Sequence, residues 1–119
     1  MIPNDKPILR VSQVAKYLNL SADRLRTYDE ENLVAPFRDS HKVRLYSNDD
    51  VSWLECLRSL IVEEKVSIKG FKEILRLSYS LQKEDIEVFI KHHKKLSIWS
   101  TFSRMVFNPN YEKLRKFYS

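Results

Sequence analysis

The sequence predicts a mainly α-helical fold carrying one small two-stranded hairpin, and three observations lead there. Glycine occurs once, at Gly70, and there are 4 prolines, too few for a turn-rich all-β sandwich. Apolar residues recur at spacings of three and four through most of the chain, the period of an amphipathic helix. One stretch breaks that period: Pro36 interrupts a helical pattern, and Val43, Arg44, Leu45 and Tyr46 then alternate like a short strand. With 119 residues, 43% hydrophobic and 31% charged, the chain has the composition of one globular domain with a short appendage.

Residues 1–8 carry two prolines and alternating polarity and read as an arm. Ser12 is a good N-cap for a first helix, QVAKYLNL, with Val14, Ala15 and Leu18 inward. That helix is barely two turns long and must lie on something to be stable. Asn19–Leu20 form a tight turn, and Ser21 caps a second helix. On it Ala22, Leu25 and Leu33 make the inner stripe, and Asp23, Arg24, Thr27, Glu30 and Glu31 make the outer one. Arg26 and Tyr28 stand at the two edges. Two short helices joined by a polar turn make a helix-turn-helix unit, which presents the outer face of its second helix to a major groove. A small helical hairpin with a solvated outer face fits these two helices equally well.

The next segment favours the first of those readings. Pro36 biases Ala35 to an extended conformation, and between the two extended arms sit Arg38, His41, Lys42 and Arg44. Four potential phosphate contacts in seven residues, beside a candidate recognition helix, look like a wing. Such contacts set register and add salt-dependent affinity without reading sequence. The overall charge of +5 is unevenly spread: 8 basic against 6 acidic residues over 1–46, 6 against 9 over 47–90, and 7 against 1 over 91–119.

Ser47 and Asp50 form a capping-box-like start for a third helix, ending near Lys65. Its apolar face combines Val51, Leu54, Arg58 and Ile61 with Trp53, Leu57 and Leu60. Ser67 caps a fourth helix, IKGFKEILRL, with Ile68, Phe71, Ile74 and Leu75 inward; the pair repeats the helix-turn-helix shape with a less basic outer face and reads as a brace. From about Lys83, Ile86, Phe89, Ile90, His93 and Leu96 recur at spacings of three and four, a heptad-like seam that predicts self-association. The aromatic run LSIWSTFSRMVF follows and is expected to fold back on the body or to meet a second protomer. Tyr111, Leu114 and Phe117 then stand at helical spacing among Lys113, Arg115 and Lys116.

Several chemistries are excluded. A lone cysteine, Cys56, allows no intrachain disulfide and no Cys-rich metal site, and on a helix it reads as packing. His92 and His93 are adjacent, point to different sides and lack acidic or Cys partners, so no metal is expected. No paired carboxylates, Ser/His/Asp set or glycine-rich phosphate loop appears, so an enzyme is not expected, and neither is a cofactor. MIPNDKPILR has no apolar core of a signal peptide, and no apolar window spans a membrane, which predicts a cytoplasmic protein.

Residues 9–77 resemble the MerR family of bacterial transcription regulators. The resemblance rests on LRVSQVAKYLNLSADRLRTYDEENLVAPFR followed by VRLYSNDDVSWLECLRSLIVEEKVSIKGFKEIL. Its most telling parts are Leu25–Arg26 with Tyr28, the Asn32–Leu33 turn ahead of Pro36 and Arg38, and the run Arg44 to Ser47. It implies a winged helix-turn-helix domain that binds pseudo-palindromic promoter DNA as a dimer, with a C-terminal helix pairing the protomers. It also implies that Arg26, Tyr28, Arg38 and Arg44 face the DNA backbone while Asp23, Arg24 and Thr27 read bases. Arg can hold guanine with two bonds, and Asp can accept from cytosine. Thr27 stands where many members have an aromatic residue, Asn32 where glycine is usual, and Val43 where tyrosine is frequent. The stretch VSIKGFKEIL looks most like the heat-shock-repressor (HspR) and glutamine-synthetase-repressor (GlnR) branches.

The expected organisation is an arm (1–8), a winged helix-turn-helix DNA-binding domain (9–80), and a dimerisation helix with a basic, aromatic tail (81–119). The expected DNA-contacting residues are Ser21, Asp23, Arg24, Arg26, Thr27, Tyr28, Arg38, His41, Lys42 and Arg44. The expected dimerisation residues are Ile86, Phe89, Ile90, His93 and Leu96. The expected function is a dimeric, sequence-specific regulator of the bacterial nucleoid, a repressor without a metal- or drug-sensing domain. Its partners are double-stranded DNA, a second copy and a co-regulator protein meeting the tail. Two other readings stay open: a DNA-architectural or excisionase-like accessory factor on the same fold, and a protein-interaction module working through the amphipathic tail.

Overall fold

The computed structural model describes residues 2–82, 84–85 and 98–118, and the first four expected helices and the wing form within them. The chain divides into two units, Met1–Glu55 and Cys56–Ser119. The first contains strand β1 (Leu9–Arg10), helices α1 (Val11–Leu18) and α2 (Ala22–Glu30), strands β2 (Phe37–Arg38) and β3 (Arg44–Tyr46), and most of α3 (Asn48–Leu57).

The first helix starts earlier than Ser12. Arg10 is the N-cap, and the Gln13 side chain accepts from the Arg10 backbone N–H at 2.9 Å. This single bond from the third residue of the helix back to the cap, one half of a capping box, stands in place of a serine cap. Val14 and Leu18 are buried and Ala15 half-buried, as the spacing predicts. Asn19 closes α1 in the left-handed conformation, φ 54°, which Asn tolerates well among side-chain-bearing residues. Asn32 does the same for α2 at φ 61°, and Leu33 N–H then donates to the Tyr28 carbonyl at 2.8 Å. Leu25, Tyr28 and Leu33 are buried, whereas Ala22, expected inward, is exposed in the first turn.

The two-stranded wing gains a third strand. The sheet order is β1-β3-β2, antiparallel, with Leu9 opposite Tyr46, Arg10 and Phe37 opposite Leu45, and Arg38 opposite Arg44. The N-terminal arm follows β1 onto this unit: Ile8 N–H donates to the Tyr46 carbonyl at 3.2 Å, and Asp49 N–H to the Asn4 carbonyl at 3.0 Å. The Ser47–Asp50 box forms at the head of α3, with both reciprocal bonds at 3.0 Å. Trp53, buried on α3, donates from its indole N–H to the Leu33 carbonyl at 2.6 Å. This ties the end of α2 to the third helix.

The second unit begins in the last turn of α3. The α-helix passes into a π-helical segment, Arg58–Glu63, so the expected single helix to Lys65 changes its winding; Lys65 itself is left-handed at φ 62°. Cys56, Leu57 and Leu60 are buried, whereas Arg58 and Ile61 are half-buried. Ser67 caps α4 (Ile68–Ser80), which runs a turn longer than expected. Helix α5 (Ile98–Val106) packs on it, with the Phe71 and Phe102 rings edge-to-face at 5.9 Å. The aromatic run therefore covers the core of its own unit. Beyond it Tyr111 and Leu114 are buried, but Phe117 is exposed and Tyr118 is buried in its place, stacked on Tyr79 at 6.1 Å. A single 3-10 turn, Arg115–Phe117, replaces the expected helical spacing. The seam of Ile86, Phe89, Ile90, His93 and Leu96 lies outside the described residues.

Candidate nucleic-acid interface

The outer face of α2 is set by its cap. Ser21 Oγ accepts from the Arg24 N–H at 3.0 Å, satisfying one of the unpaired amides of the first turn. Asp23, Arg24, Arg26 and Thr27 are all exposed along the helix that follows. Arg26 Nη1 pairs with Asp23 Oδ1 at 3.0 Å, and both side chains are more than half exposed, so the pair contributes well under about 1 kcal/mol and yields readily to another partner. Thr27, itself exposed, donates its hydroxyl to the Asp23 carbonyl at 3.0 Å, which leaves the oxygen lone pairs as acceptors.

Tyr28 departs from the expectation of a backbone contact. It is 1% exposed, and its hydroxyl is enclosed with no hydrogen-bond partner. It sits one turn beyond Leu25 on the inner stripe, so in this chain it braces α2 from beneath.

The wing turn is built by Asp39, a residue the sequence reading passed over. Its Oδ1 accepts from the N–H groups of His41 at 2.8 Å and Val43 at 2.9 Å. Its backbone N–H donates to the Val43 carbonyl at 3.1 Å. Lys42 completes the turn in the left-handed conformation, φ 63°. This Asx-type bonding holds His41 and Lys42, both exposed, at the tip. His41 Nδ1 lies 3.4 Å from Ser40 Oγ.

Asp29 joins the wing to the helix. Its Oδ2 accepts from Arg38 Nη2 and from Arg44 Nε, each at 2.5 Å. The three residues are nine and fifteen positions apart in sequence, and only the fold brings them together. Ion pairs with a largely buried carboxylate are firmer than surface ones. Tyr46, buried next to Arg44 on β3, has its pKa pushed up to about 12, first by burial and then by the negative charge of Asp29.

Eight of the ten expected contacts are thus exposed on the first unit, along α2 with its cap and on the wing; Arg44 is half-buried and Tyr28 is inside. Among the described residues no group of three or more His, Cys, Asp or Glu side chains is placed to hold a metal ion. Nor is any helix there long and apolar enough to cross a membrane.

A helix-turn-helix whose second helix is tied by a carboxylate to a basic hairpin defines a winged helix-turn-helix regulatory domain. Residues 9–78 match the MerR HTH family regulatory proteins, and the chain belongs to that family. It is 32% identical over 76 residues to the heat shock protein HspR of Streptomyces coelicolor, covering 64% of this chain and 50% of that protein. It is also 32% identical over 82 residues to the HTH-type transcriptional regulator GlnR of Bacillus anthracis and of Bacillus cereus, covering 69% of this chain and 62% of theirs. The resemblance to the HspR and GlnR branches therefore stands, and the class is regulatory, not enzymatic. The match spans half to 62% of the length of these relatives.

Proposed function

We infer that this chain is a dimeric, sequence-specific DNA-binding transcription regulator that represses from pseudo-palindromic promoter DNA in the bacterial cytoplasm, at the nucleoid. The observation that carries the reading is the convergence of Arg38 and Arg44 on Asp29, which sets two wing cations beside the exposed face of α2. One element can then lie in a groove while the other meets the flanking phosphates. Asp23, Arg24 and Thr27 are the base readers in this account. Arg26, Arg38, His41, Lys42 and Arg44 hold phosphates, Ser21 fixes the start of the reading helix, and Tyr28 supports it from the core. Pairing through Ile86, Phe89, Ile90, His93 and Leu96 rests on their heptad-like spacing, and would place two such units on inverted half-sites. A co-regulator meeting the basic, aromatic C-terminal region completes the list of partners.

Gel-shift titration on the DNA upstream of the chain's own gene tests the reading. Binding should survive unrelated competitor DNA and fall steeply as salt is raised. Equal affinity for every sequence would sink it. Sedimentation equilibrium of the free protein should report a dimer; a monomer at all concentrations up to saturation of the DNA would remove the pairing.

A further inference from the structure

The two wing arginines share a single acceptor, and that acceptor belongs to the helix rather than to the wing. Asp29 is only 13% exposed, against 46% for Arg38 and 22% for Arg44. The three side chains together carry one positive charge instead of two. Each guanidinium has five N–H donors, so a bond to Asp29 leaves others for a second acceptor. Arg38 comes from β2 and Arg44 from β3, while Tyr46, also on β3, lies within electrostatic reach of all three charges. Asp39 shapes the wing turn through backbone N–H groups, whereas Asp29 pairs with the two wing guanidinium groups, holding them to α2 and partly neutralising them.

We propose that Asp29 is a specificity-determining positioning residue: it locks Arg38 and Arg44 in one register against α2 and cancels one of their two charges. The assignment rests on the DNA-binding reading and deepens it. Free positive charge raises affinity for any duplex, because phosphate contacts carry no sequence information. Pre-organised cations favour the duplex whose bases suit α2, since less ordering is left to be done on binding. Asp29 thus suppresses binding to random DNA while sparing binding to the right site.

The test uses the full chain and two fluorescent duplexes of equal length, one carrying the selected site and one scrambled, titrated across salt. For Asp29→Asn, affinity for the scrambled duplex should rise about three- to tenfold and the salt slope should steepen by about one. Affinity for the selected duplex should gain less or fall, so the ratio of the two drops about tenfold. Asp29→Glu restores the charge and should return scrambled binding to within about twofold of wild type. An Asp29→Asn protein that keeps both affinities, the slope and the ratio overturns the assignment alone. A wild-type chain that binds neither duplex overturns the DNA reading and the assignment with it. Circular dichroism checks that the variant folds. If it does not, the Arg44 Nε–H resonance of the wild-type protein decides: a sharp signal protected from solvent exchange at neutral pH supports the lock, and an exchange-broadened one overturns it.

Discussion

Helices α2 and α4 begin alike and end in different company. Ser21 Oγ accepts from the Arg24 N–H at 3.0 Å, and Ser67 Oγ accepts from the Gly70 N–H at 2.9 Å. Each helix buries a stripe, Leu25 with Tyr28 on one and Phe71 with Leu75 on the other. Each shows charge outward. On α4, however, Arg76 is paired with Glu73 of the same helix, and exposed Leu77 follows. On α2 the decisive carboxylate reaches off the helix to a basic hairpin. Capping and amphipathicity therefore make a helix without assigning it a task. What separates the two is the segment that follows, and Asp29 is the residue that recruits it.

The largest expected contrast is in binding. Arg44→Ala should weaken binding to the selected duplex about tenfold or more and lower the salt slope by about one, whereas Arg76→Ala on α4 should stay within about twofold. Fluorescence anisotropy measures both. Equal losses would dissolve the distinction between the helices.

Alkaline pH should act on both regions. Tyr46 and Tyr79 each have a pKa raised to about 12, chiefly by burial. The folded state thus holds these protons more tightly than the unfolded chain, whose tyrosines titrate near 10. Their stabilising contribution is complete below about pH 10 and is lost as the pH rises through about 12. Urea midpoints measured across that window should fall, and Tyr46→Phe should flatten the fall. Because the Tyr46 hydroxyl has no hydrogen-bond partner, that substitution should cost little at neutral pH.

The caps come next. Ser21→Ala and Ser67→Ala should each cost about 1 kcal/mol, seen as a few degrees in Tm, because each removes one equivalent bond. Under the proposed function, in which α2 is the reading helix, only the Ser21 variant should also weaken DNA binding. Smallest are Lys42→Gly and Lys65→Gly, which relieve left-handed φ angles of 63° and 62°. They should gain no more than about 1 kcal/mol, less the added freedom of glycine in the unfolded chain.

What could be read in the sequence was local. The caps at Ser21, Ser47 with Asp50, and Ser67 each act over three residues, and the left-handed turn at Asn32 is a property of one residue type. The family resemblance rested on the same short spacings. Strand β1, two residues long, has no periodicity to detect, and the Arg10–Gln13 bond competed with a more familiar serine cap. Tyr28 lies near the boundary between faces, where a stripe drawn from Leu25 leaves its side undecided. Asp29 was hidden for a different reason. In sequence it is one acid in Asp-Glu-Glu, and its partners stand nine and fifteen residues away, joined to it only after the hairpin folds back.

The central claim is that α2 and its tethered wing read DNA as a symmetric pair. Selection of bound sequences from a random duplex pool tests it most directly. The account predicts two inverted copies of one half-site at fixed spacing, with enrichment lost for a variant lacking Arg24 and Arg44. A pool that stays unenriched, or a single unpaired motif untouched by those substitutions, would contradict it.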